Sequence, residues 1–257
     1  MEVHAHTHPP TGSGPRKKWT HYLWEFLMLF LAVFCGFLAE NIREHQVERH
    51  RGKQYILSLY EDLKSDTTRI NEILGYDEEK IRALNTIYNC YDTVFRDLRS
   101  TSCMGILLKH SRSNRSFALT DRTLKQLANA GGYRLLNKGD ADSIINYENL
   151  YKNYLDFQAT VFQQAQDNVR NTMSEMANFK TIAPLQMTTT MSRTADTTST
   201  ELKGPVLFSR DSVLVNKWFN EMALYLRTTS GQRNFMLNMK NKAAGLLAFY
   251  KTKYGLE

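Results

Sequence analysis

Apolar residues recur every three or four positions along much of the chain beyond residue 50, a spacing that places them on one face of an α-helix. Three such stripes follow one another before residue 184. Their members are Ile56, Leu59, Leu63, Ile70 and Leu74 in the first, Ile81, Leu84, Tyr88, Tyr91, Phe95 and Leu98 in the second, and Tyr147, Tyr151, Tyr154, Val161, Ala165 and Val169 in the third. No segment shows the alternation of a half-buried strand. The pattern predicts an all-α fold in which the stripes meet in a bundle core.

Glycine and serine mark where these helices are expected to stop. Gly75 separates the first stripe from the second, and the serine-rich residues 100–116 break the pattern after the second. A short helix is predicted from Asp121 to Asn129, with Thr120 as its capping residue. It precedes the long helix that carries the third stripe.

The last part of the chain begins with a stretch dominated by Thr and Ser, residues 188–200, which indicates an exposed loop. Apolar positions then return at helical spacing. They predict two helices, from Asp211 to Thr228 and from Gln232 to Tyr254, with Gly231 between them.

The longest uncharged apolar run lies near the N-terminus, from Phe26 to Ala39, and Trp19 and two further aromatic residues precede it. As a helix, the 21 residues from Trp19 to Ala39 would span about 31 Å, close to the thickness of the bilayer's hydrocarbon core. A signal-peptide core is similarly short, but cleavage at Ala39 would place Phe37 where a small residue is needed. We therefore expect an uncleaved transmembrane helix that continues into a helical bundle with coiled-coil-like segments.

The smallest side chains of this anchor share one stripe, on which a second helix can approach closely. They are Ala32, Cys35, Gly36 and Ala39. Glu25 lies seven residues before Ala32 on the same face. A carboxylate at the edge of the hydrocarbon is a functional candidate unless it reaches headgroup water or pairs with Lys18 or His21. We predict that these five residues form a membrane helix contact.

Basic residues flank the anchor on both sides and bear on its orientation. Arg16, Lys17 and Lys18 are adjacent upstream, whereas the four basic residues downstream are interspersed with glutamates. The positive-inside rule counts such residues near each membrane boundary. The upstream cluster contains no acidic residue and therefore favours a cytoplasmic N-terminus and a C-terminal domain on the far side of the membrane.

The patterns divide the chain into five parts, which are a flexible His-rich tail (1–18), a transmembrane anchor (19–39), a long-helix bundle (40–183), a Thr/Ser-rich loop (184–205) and a C-terminal helical pair packing on the bundle (206–257). The tail holds His4, His6 and His8 in alternation. Imidazoles can bind zinc, copper or nickel, but no cysteine or carboxylate cluster completes a site here. We expect an unstructured polar tail and no cofactor.

A resemblance is carried by residues 17–66, which read KKWTHYLWEFLMLFLAVFCGFLAENIREHQVERHRGKQYILSLYEDLKSD. This stretch is similar to the N-terminal signature of a family of uncharacterised bacterial single-span membrane proteins, in which an anchor with an embedded Glu leads into a Ser-Leu-x-x-Asp-Leu-like motif. That motif is matched here by Ser58, Leu59, Glu61, Asp62 and Leu63. The resemblance implies a bacterial inner-membrane protein with a helical extramembrane domain of unknown function, and it supplies no reaction. With the orientation favoured by the basic residues, this domain would be periplasmic.

A search for catalytic motifs finds none of the common glycine-rich, zinc-binding or nucleophile signatures. The nearest match is the pair His45 and His50 beside the membrane, but its spacing of five does not suit metal chelation on a helix. Cys90 and Cys103 lack the C-x-x-C spacing, and they can pair only in an oxidising compartment. We expect a protein that is not an enzyme.

Positive charge is concentrated in two zones, residues 96–138 and residues 203–257. Residues 96–138 hold nine Lys and Arg against two Asp, which accounts for an excess equal to the whole net charge of +7. Such a field favours anionic partners, namely lipid headgroups or an acidic protein. Alternatively, the basic zones pack against the acidic parts of the bundle. Nucleic acid ranks below lipid and protein because no base-stacking aromatics are interleaved. The predicted contacts are Lys109, Arg112, Arg115, Arg122 and Lys125.

Composition limits the remaining possibilities. With 257 residues, 5 Pro and 3 Cys, the chain is neither disordered nor a disulfide scaffold. A mean hydropathy of −0.46 leaves room for about one membrane segment. We expect a membrane-anchored helical scaffold or interaction protein that self-associates or joins a membrane complex. The alternative is an accessory subunit of a membrane transport or energy-coupling complex that uses Glu25.

Overall fold

The computed structural model describes residues 19–96, 101–129, 131–183, 204–209 and 211–256. Every regular element in these ranges is helical, apart from an isolated β-bridge between Ala177 and Leu207. The prediction of an all-α fold is confirmed. The chain forms two compact units, an N-terminal unit (Met1–Gly52) and a bundle unit (Lys53–Glu257). The predicted tail and most of the predicted loop at 184–205 lie outside the described residues.

Eight helices lie within these described ranges. In chain order they are α1 (Trp19–Leu84), α2 (Ile87–Arg96), α3 (Thr101–Arg112), α4 (Arg122–Asn129), α5 (Lys138–Phe157), α6 (Gln163–Met176), α7 (residues 179–183) and α8 (Ser212–Tyr254). A 3-10 turn, Gly132–Leu135, precedes α5, and a π-helical turn, Gln158–Phe162, joins α5 to α6. Within the bundle unit, α8 packs against α5 and α6, and α3 packs against α2 and α6.

The first stripe is buried as predicted, but the helix that carries it ends later than expected. α1 continues through Gly75 to Leu84, so the predicted break at Gly75 is wrong. A single glycine weakens a helix by only about 1 kcal/mol, which packing of the stripe on either side can offset. The chain turns instead at residues 85–86, where the Thr86 hydroxyl donates to the carbonyl oxygen of Ala83 at 2.7 Å.

This turn changes which face of α2 is buried. Ile87 and Cys90 are buried, whereas Tyr88 is 76% exposed. The second stripe was drawn as one continuous helix, and the turn at residues 85–86 interrupts its phase. Its prediction of a buried Tyr88 is therefore wrong, and Tyr91, 37% exposed, is not part of the core either. The side chain of Phe95 and all of Leu98 lie outside the described residues.

The serine-rich stretch that was expected to interrupt the helices contains α3. Met104, Leu107 and Leu108 are buried and occupy helical positions i, i+3 and i+4. Three apolar residues among serines are too short a pattern to predict a helix, so the packing of α3 against α2 and α6 decides its conformation.

The predicted C-terminal pair of helices is a single helix, α8. Its start is as predicted, since the carboxylate of Asp211 accepts a hydrogen bond from the Val213 amide at 2.8 Å. Gly231 does not break the helix. A Cβ atom at Gly231 would lie 3.1 Å from Cζ of Phe157, so this glycine allows close approach of the two side-by-side segments. The helix ends before Gly255, whose φ of 64° is left-handed.

The π-helical turn shifts the third stripe. Tyr147, Tyr154 and Val169 are buried as predicted, but Val161 is 45% exposed and Phe162 is fully buried in its place. A π turn holds more residues than an α turn and therefore rotates the following side chains around the helix axis. A strict heptad pattern could not anticipate this shift.

Two hydrophobic clusters fill the bundle unit. One contains Ile70, Tyr147 and Met239, and the other contains Phe162 and Trp218. Between these two clusters, buried side chains of α1, α6 and α8 are polar rather than apolar. The buried polar residues at this level are Asp77, Lys80, Gln166, Thr228, Thr229 and Gln232. They form a layer that we call the polar layer.

Candidate functional site

The polar layer is centred on Asp77 and Lys80 of α1, whose side chains are fully buried. Residues three apart share one face of a helix, so both side chains enter the bundle together. Charged side chains are rarely buried without partners, because removing them from water is costly. The surrounding hydrogen bonds therefore determine whether the layer is stable.

Lys80 reaches across the bundle to two oxygen atoms. Its ammonium group donates to the carbonyl oxygen of Ser113 at 2.9 Å and to the hydroxyl of Tyr225 at 2.5 Å. The same nitrogen lies 5.3 Å from the ring centroid of Phe162, within the range of a cation–π interaction. Burial lowers the pKa of Lys80 to about 7, with nearby Asp77 opposing the shift and Arg170 adding to it.

Asp77 is held by Gln232 of α8. The side-chain nitrogen of Gln232 donates to both carboxylate oxygens of Asp77, at 2.9 and 3.0 Å. Gln158, in the π-helical turn, donates to the side-chain oxygen of Gln232 at 2.6 Å. Burial raises the pKa of Asp77 to about 6, and the hydrogen bond from Gln232 and the charges of Lys80 and Arg233 oppose that rise.

The layer can therefore bind and release protons near neutral pH at the centre of the bundle. Tyr225 belongs to it as well, since its hydroxyl also accepts from the side chain of Gln166 at 3.2 Å. Burial is the main cause that raises the pKa of Tyr225. The motifs and periodicities of the sequence did not predict this site. The available signal was a charged pair between Leu74, the last member of the first stripe, and Leu84 of the second stripe.

The Ser-Leu-x-x-Asp-Leu-like motif has a structural role in the bundle unit. Asp62 is buried and accepts hydrogen bonds from the amide and the hydroxyl of Thr123, near the start of α4. The guanidinium of Arg122 donates to the same carboxylate at 2.9 Å. A carboxylate at a helix N-terminus satisfies free amides and interacts favourably with the helix dipole. Asp62 therefore caps α4 from another helix.

Asp66, one turn later on α1, binds the residue that was expected to cap α4. Its carboxylate accepts from the amide of Thr120 at 2.9 Å and from the hydroxyl of Thr120 at 2.7 Å. The hydroxyl of Tyr147 donates to the other oxygen at 3.3 Å. Burial raises the pKa of Asp66. The prediction of Thr120 as a local cap is wrong, because α4 begins at Arg122, one residue later than predicted, and the amide of Thr123 donates to Asp62.

The predicted anion-binding residues fall on three different segments. Lys109 and Arg112 lie on α3, where Lys109 is exposed and Arg112 is half-buried, and Arg115 lies in the following loop, 4.9 Å from the ring centroid of Tyr76. On α4, Arg122 binds Asp62, and Lys125 pairs with Asp121 at 2.7 Å. Both of these residues therefore have an acidic neighbour. Anion binding by the set stays a prediction.

The predicted membrane contact residues lie on α1 in the N-terminal unit. Ala32, Cys35, Gly36 and Ala39 are all exposed, and no other group lies within 4 Å of the position that a Cβ of Gly36 would occupy. Glu25 lies 3.0 Å from Nε2 of His21, one of the two partners that we expected for it. Lys18, the other, lies outside the described residues.

Among the described residues, one helix near the N-terminus is long and apolar enough to cross a membrane by its length and composition. None of its apolar stretch is buried. Core helices of water-soluble proteins that meet the same two criteria are mostly buried, which separates this segment from them. A signal sequence near the N-terminus meets the same criteria, so the two observations indicate a membrane segment of either kind.

Cys90 and Cys103 form a disulfide that joins α2 to α3, with their Cα atoms 5.5 Å apart. Cys35 is free and exposed. In the described part of the chain, no three His, Cys, Asp or Glu side chains are grouped so that they could hold a metal ion. His4, His6 and His8 lie outside that part.

The chain was compared with protein-family models, with curated proteins and with solved structures, and none of them matches it.

Proposed function

We propose that this protein is a single-pass, membrane-anchored interaction protein whose helical bundle acts as a scaffold. The observation that carries this proposal is the apolar stretch of α1, which is long enough to span a bilayer and is not buried by the protein itself. The bundle unit has its own hydrophobic cores, so it has no need of that stretch for its folding. Membrane lipid and a second membrane helix are the partners that would cover it.

We infer that the bundle unit lies in an oxidising compartment, which for a bacterial inner-membrane protein is the periplasm. The disulfide between Cys90 and Cys103 supports this side, because disulfides persist in oxidising compartments and are reduced in the cytosol. The adjacent basic residues Arg16, Lys17 and Lys18 support a cytoplasmic N-terminus independently. The resemblance of residues 17–66 to bacterial single-span proteins supports the inner-membrane location.

Carbonate extraction and thiol labelling of the protein from expressing cells test location and topology together. The full chain is expressed in a bacterium, membranes are washed with carbonate, and the protein is treated with a maleimide–polyethylene glycol reagent before and after reduction. We expect the protein to stay in the membrane and to gain two labelled thiols only after reduction. Release by carbonate would contradict the anchor, and two free thiols at positions 90 and 103 in untreated cells would contradict the periplasmic location.

Self-association through the anchor is tested by disulfide crosslinking at Cys35 in native membranes. Gly36→Leu should fill the open surface of the small-residue stripe and weaken association by about 1 kcal/mol or more. Phe34→Leu, on the opposite face of the helix, is the matched control and should crosslink like the native chain. If Cys35 does not crosslink, or if both variants behave alike, the stripe is not a contact between copies.

The second candidate is an accessory subunit of a transport or energy-coupling complex. It is favoured by Glu25, which lies within the proposed membrane segment beside His21. Purification of the native complex followed by mass spectrometry separates the two candidates. A transport complex that copurifies with the native chain and loses activity in Glu25→Gln supports the second, whereas copies of the chain alone support the first.

A further inference from the structure

A groove of about 190 Å³ lies in the bundle unit between α3, α6 and α7. Its floor is apolar and is made of Leu108, Val169, Met173 and Ile182, all of which are buried. At its rim stand two arginines, Arg112 of α3 and Arg170 of α6, together with Phe179, which is 69% exposed. An apolar floor beside concentrated positive charge is suited to a ligand with an apolar part and an anionic end.

The two arginines are only partly neutralised. One nitrogen of Arg170 donates to the carbonyl oxygen of Arg112 at 2.7 Å, and the other lies 3.7 Å from the carboxylate of Asp167. Among the described residues, no carboxylate lines the groove. With Asp167 set against one of the arginines, about one positive charge remains to be balanced.

Arg112 has a nitrogen without an acceptor. Its Nη1 atom is removed from water and makes no hydrogen bond within the described structure. Burial, and then the positive charge of Arg170, lower the pKa of Arg112. An unpaired buried donor is costly, so a small rotation of Arg112 toward an anion in the groove would recover a charge-assisted hydrogen bond.

The form of the groove distinguishes between classes of anion. A peptide that binds by adding a strand needs an open sheet edge. Among the described lining residues, Ala177 has strand-like pairing, and its partner is already Leu207 of this chain. A peptide helix needs a longer surface than this volume provides. A phosphate dianion would carry more charge than the single positive charge left uncompensated. A monocarboxylate with a short aliphatic chain matches the charge and the apolar floor.

We propose that this groove binds the carboxylate end of an apolar monocarboxylate such as an acyl chain, with Arg112 and Arg170 holding the carboxylate and Leu108, Val169 and Met173 contacting the chain. This inference is independent of the membrane topology proposed above. Either can be right if the other is wrong, because the groove lies entirely within the bundle unit.

Octanoate is the probe, and the full chain in nanodiscs of zwitterionic lipid is the protein. Isothermal titration, with protein-free nanodiscs subtracted, should show saturable binding of one octanoate per chain. Arg112→Gln and Arg170→Gln should each weaken binding at least tenfold. Arg227→Gln changes an exposed arginine on α8 and is the matched control, which should bind octanoate like the native chain. Octylammonium, of opposite charge, should show no saturable binding.

Ser174→Leu keeps the proposal testable if removal of an arginine unfolds the protein. Ser174 is exposed at the groove, so the larger side chain should occlude it without disturbing the core, and octanoate binding should be lost while the melting temperature is kept. Octanoate binding that survives Ser174→Leu would overturn the proposal. So would equal binding of octanol, which would show that the arginines contribute nothing, or tighter binding of inorganic phosphate, which would assign the site to another class of anion.

Discussion

At the scale of single residues, the bundle unit buries charge where an apolar core would cost less. Asp77 and Lys80 are both fully buried, and their burial shifts both pKa values toward neutrality. Replacing buried charged pairs by well-packed apolar residues is often neutral or stabilising. We expect pH-dependent stability to distinguish this layer from an ordinary apolar core.

The first prediction concerns Asp77 between pH 4 and 6. Its pKa is raised from 3.8 to about 6 in the folded chain, so the folded state binds a proton that the unfolded state releases. The free energy of unfolding should therefore fall as pH rises through this window, by on the order of 2 to 3 kcal/mol more in the native chain than in Asp77→Asn. Urea unfolding at several pH values, followed by circular dichroism, measures the difference.

Two comparisons make this prediction specific. Glu79→Gln removes an exposed carboxylate two residues away and should leave the pH dependence unchanged. Lys80 should change the free energy of unfolding in the opposite direction. Its pKa is lowered from 10.5 to about 7, so stability should rise as pH increases between these two values. Parallel pH profiles for the native chain and Asp77→Asn would show that Asp77 does not titrate in the folded state as inferred.

At the scale of elements, glycine has different roles in the same helix. Gly231 and Gly245 both lie within α8 with helical backbone, but a Cβ at Gly231 would meet the ring of Phe157 at 3.1 Å, whereas a Cβ at Gly245 would meet nothing within 4 Å. The composition of α8 does not distinguish these two glycines. The ring of Phe157, which packs against Gly231 and not against Gly245, does.

The second prediction follows from this contrast. Gly245→Ala should stabilise the protein by about 0.5 to 1 kcal/mol, because alanine favours the helix over the unfolded chain. Gly231→Ala should gain less than this or lose stability, because the ring of Phe157 must move away. Melting temperatures of the two variants give the comparison, and an equal gain at both positions would show that α8 does not depend on close approach at Gly231.

The disulfide stabilises two short helices that lack long apolar stripes of their own. The third prediction is that Cys90→Ser with Cys103→Ser lowers the free energy of unfolding by about 3 kcal/mol, as expected for a loop of this length. Dithiothreitol should lower the stability of the native chain by a similar amount. Cys35→Ser is the control and should leave bundle stability unchanged. A native chain insensitive to the reductant would mean that the bridge contributes nothing to stability.

At the scale of the whole molecule, the chain consists of two compact units, one that buries its apolar side chains and one that exposes them. The bundle unit, Lys53–Glu257, contains both hydrophobic clusters and the polar layer. In the N-terminal unit the apolar side chains of α1 are exposed, and the proposed anchor would cover them with lipid or a partner helix.

The fourth prediction is that residues 53–257 fold alone. Far-ultraviolet circular dichroism of this fragment should show a helical spectrum and a cooperative melt, because its cores are internal to the fragment. Detergent should not be required for its solubility, whereas the full chain should need detergent or lipid. A strand-dominated spectrum or a non-cooperative melt would contradict an independent bundle.

Much of the fold could be predicted because helical periodicity is a local property. The first stripe was identified correctly since its members, from Ile56 to Leu74, lie on one uninterrupted helix. The prediction failed where neighbours in space control the backbone, as at Gly75 and Gly231, and where the π-helical turn rotates Val161 out of the core. Stop signals are weak compared with the packing energy of a long apolar face.

The candidate site was the least predictable part. Asp77 and Gln232 are 155 positions apart, and no local pattern connects them. The arginines of the groove were only half identified, since Arg112 belonged to a basic zone and Arg170 did not. The sequence by itself determined the helical class, the apolar N-terminal segment and the first core stripe, because these depend on side-chain chemistry and the geometry of a single helix. Only the tertiary structure decided the polar layer, the disulfide and the groove, because each requires residues from several helices to come within contact distance.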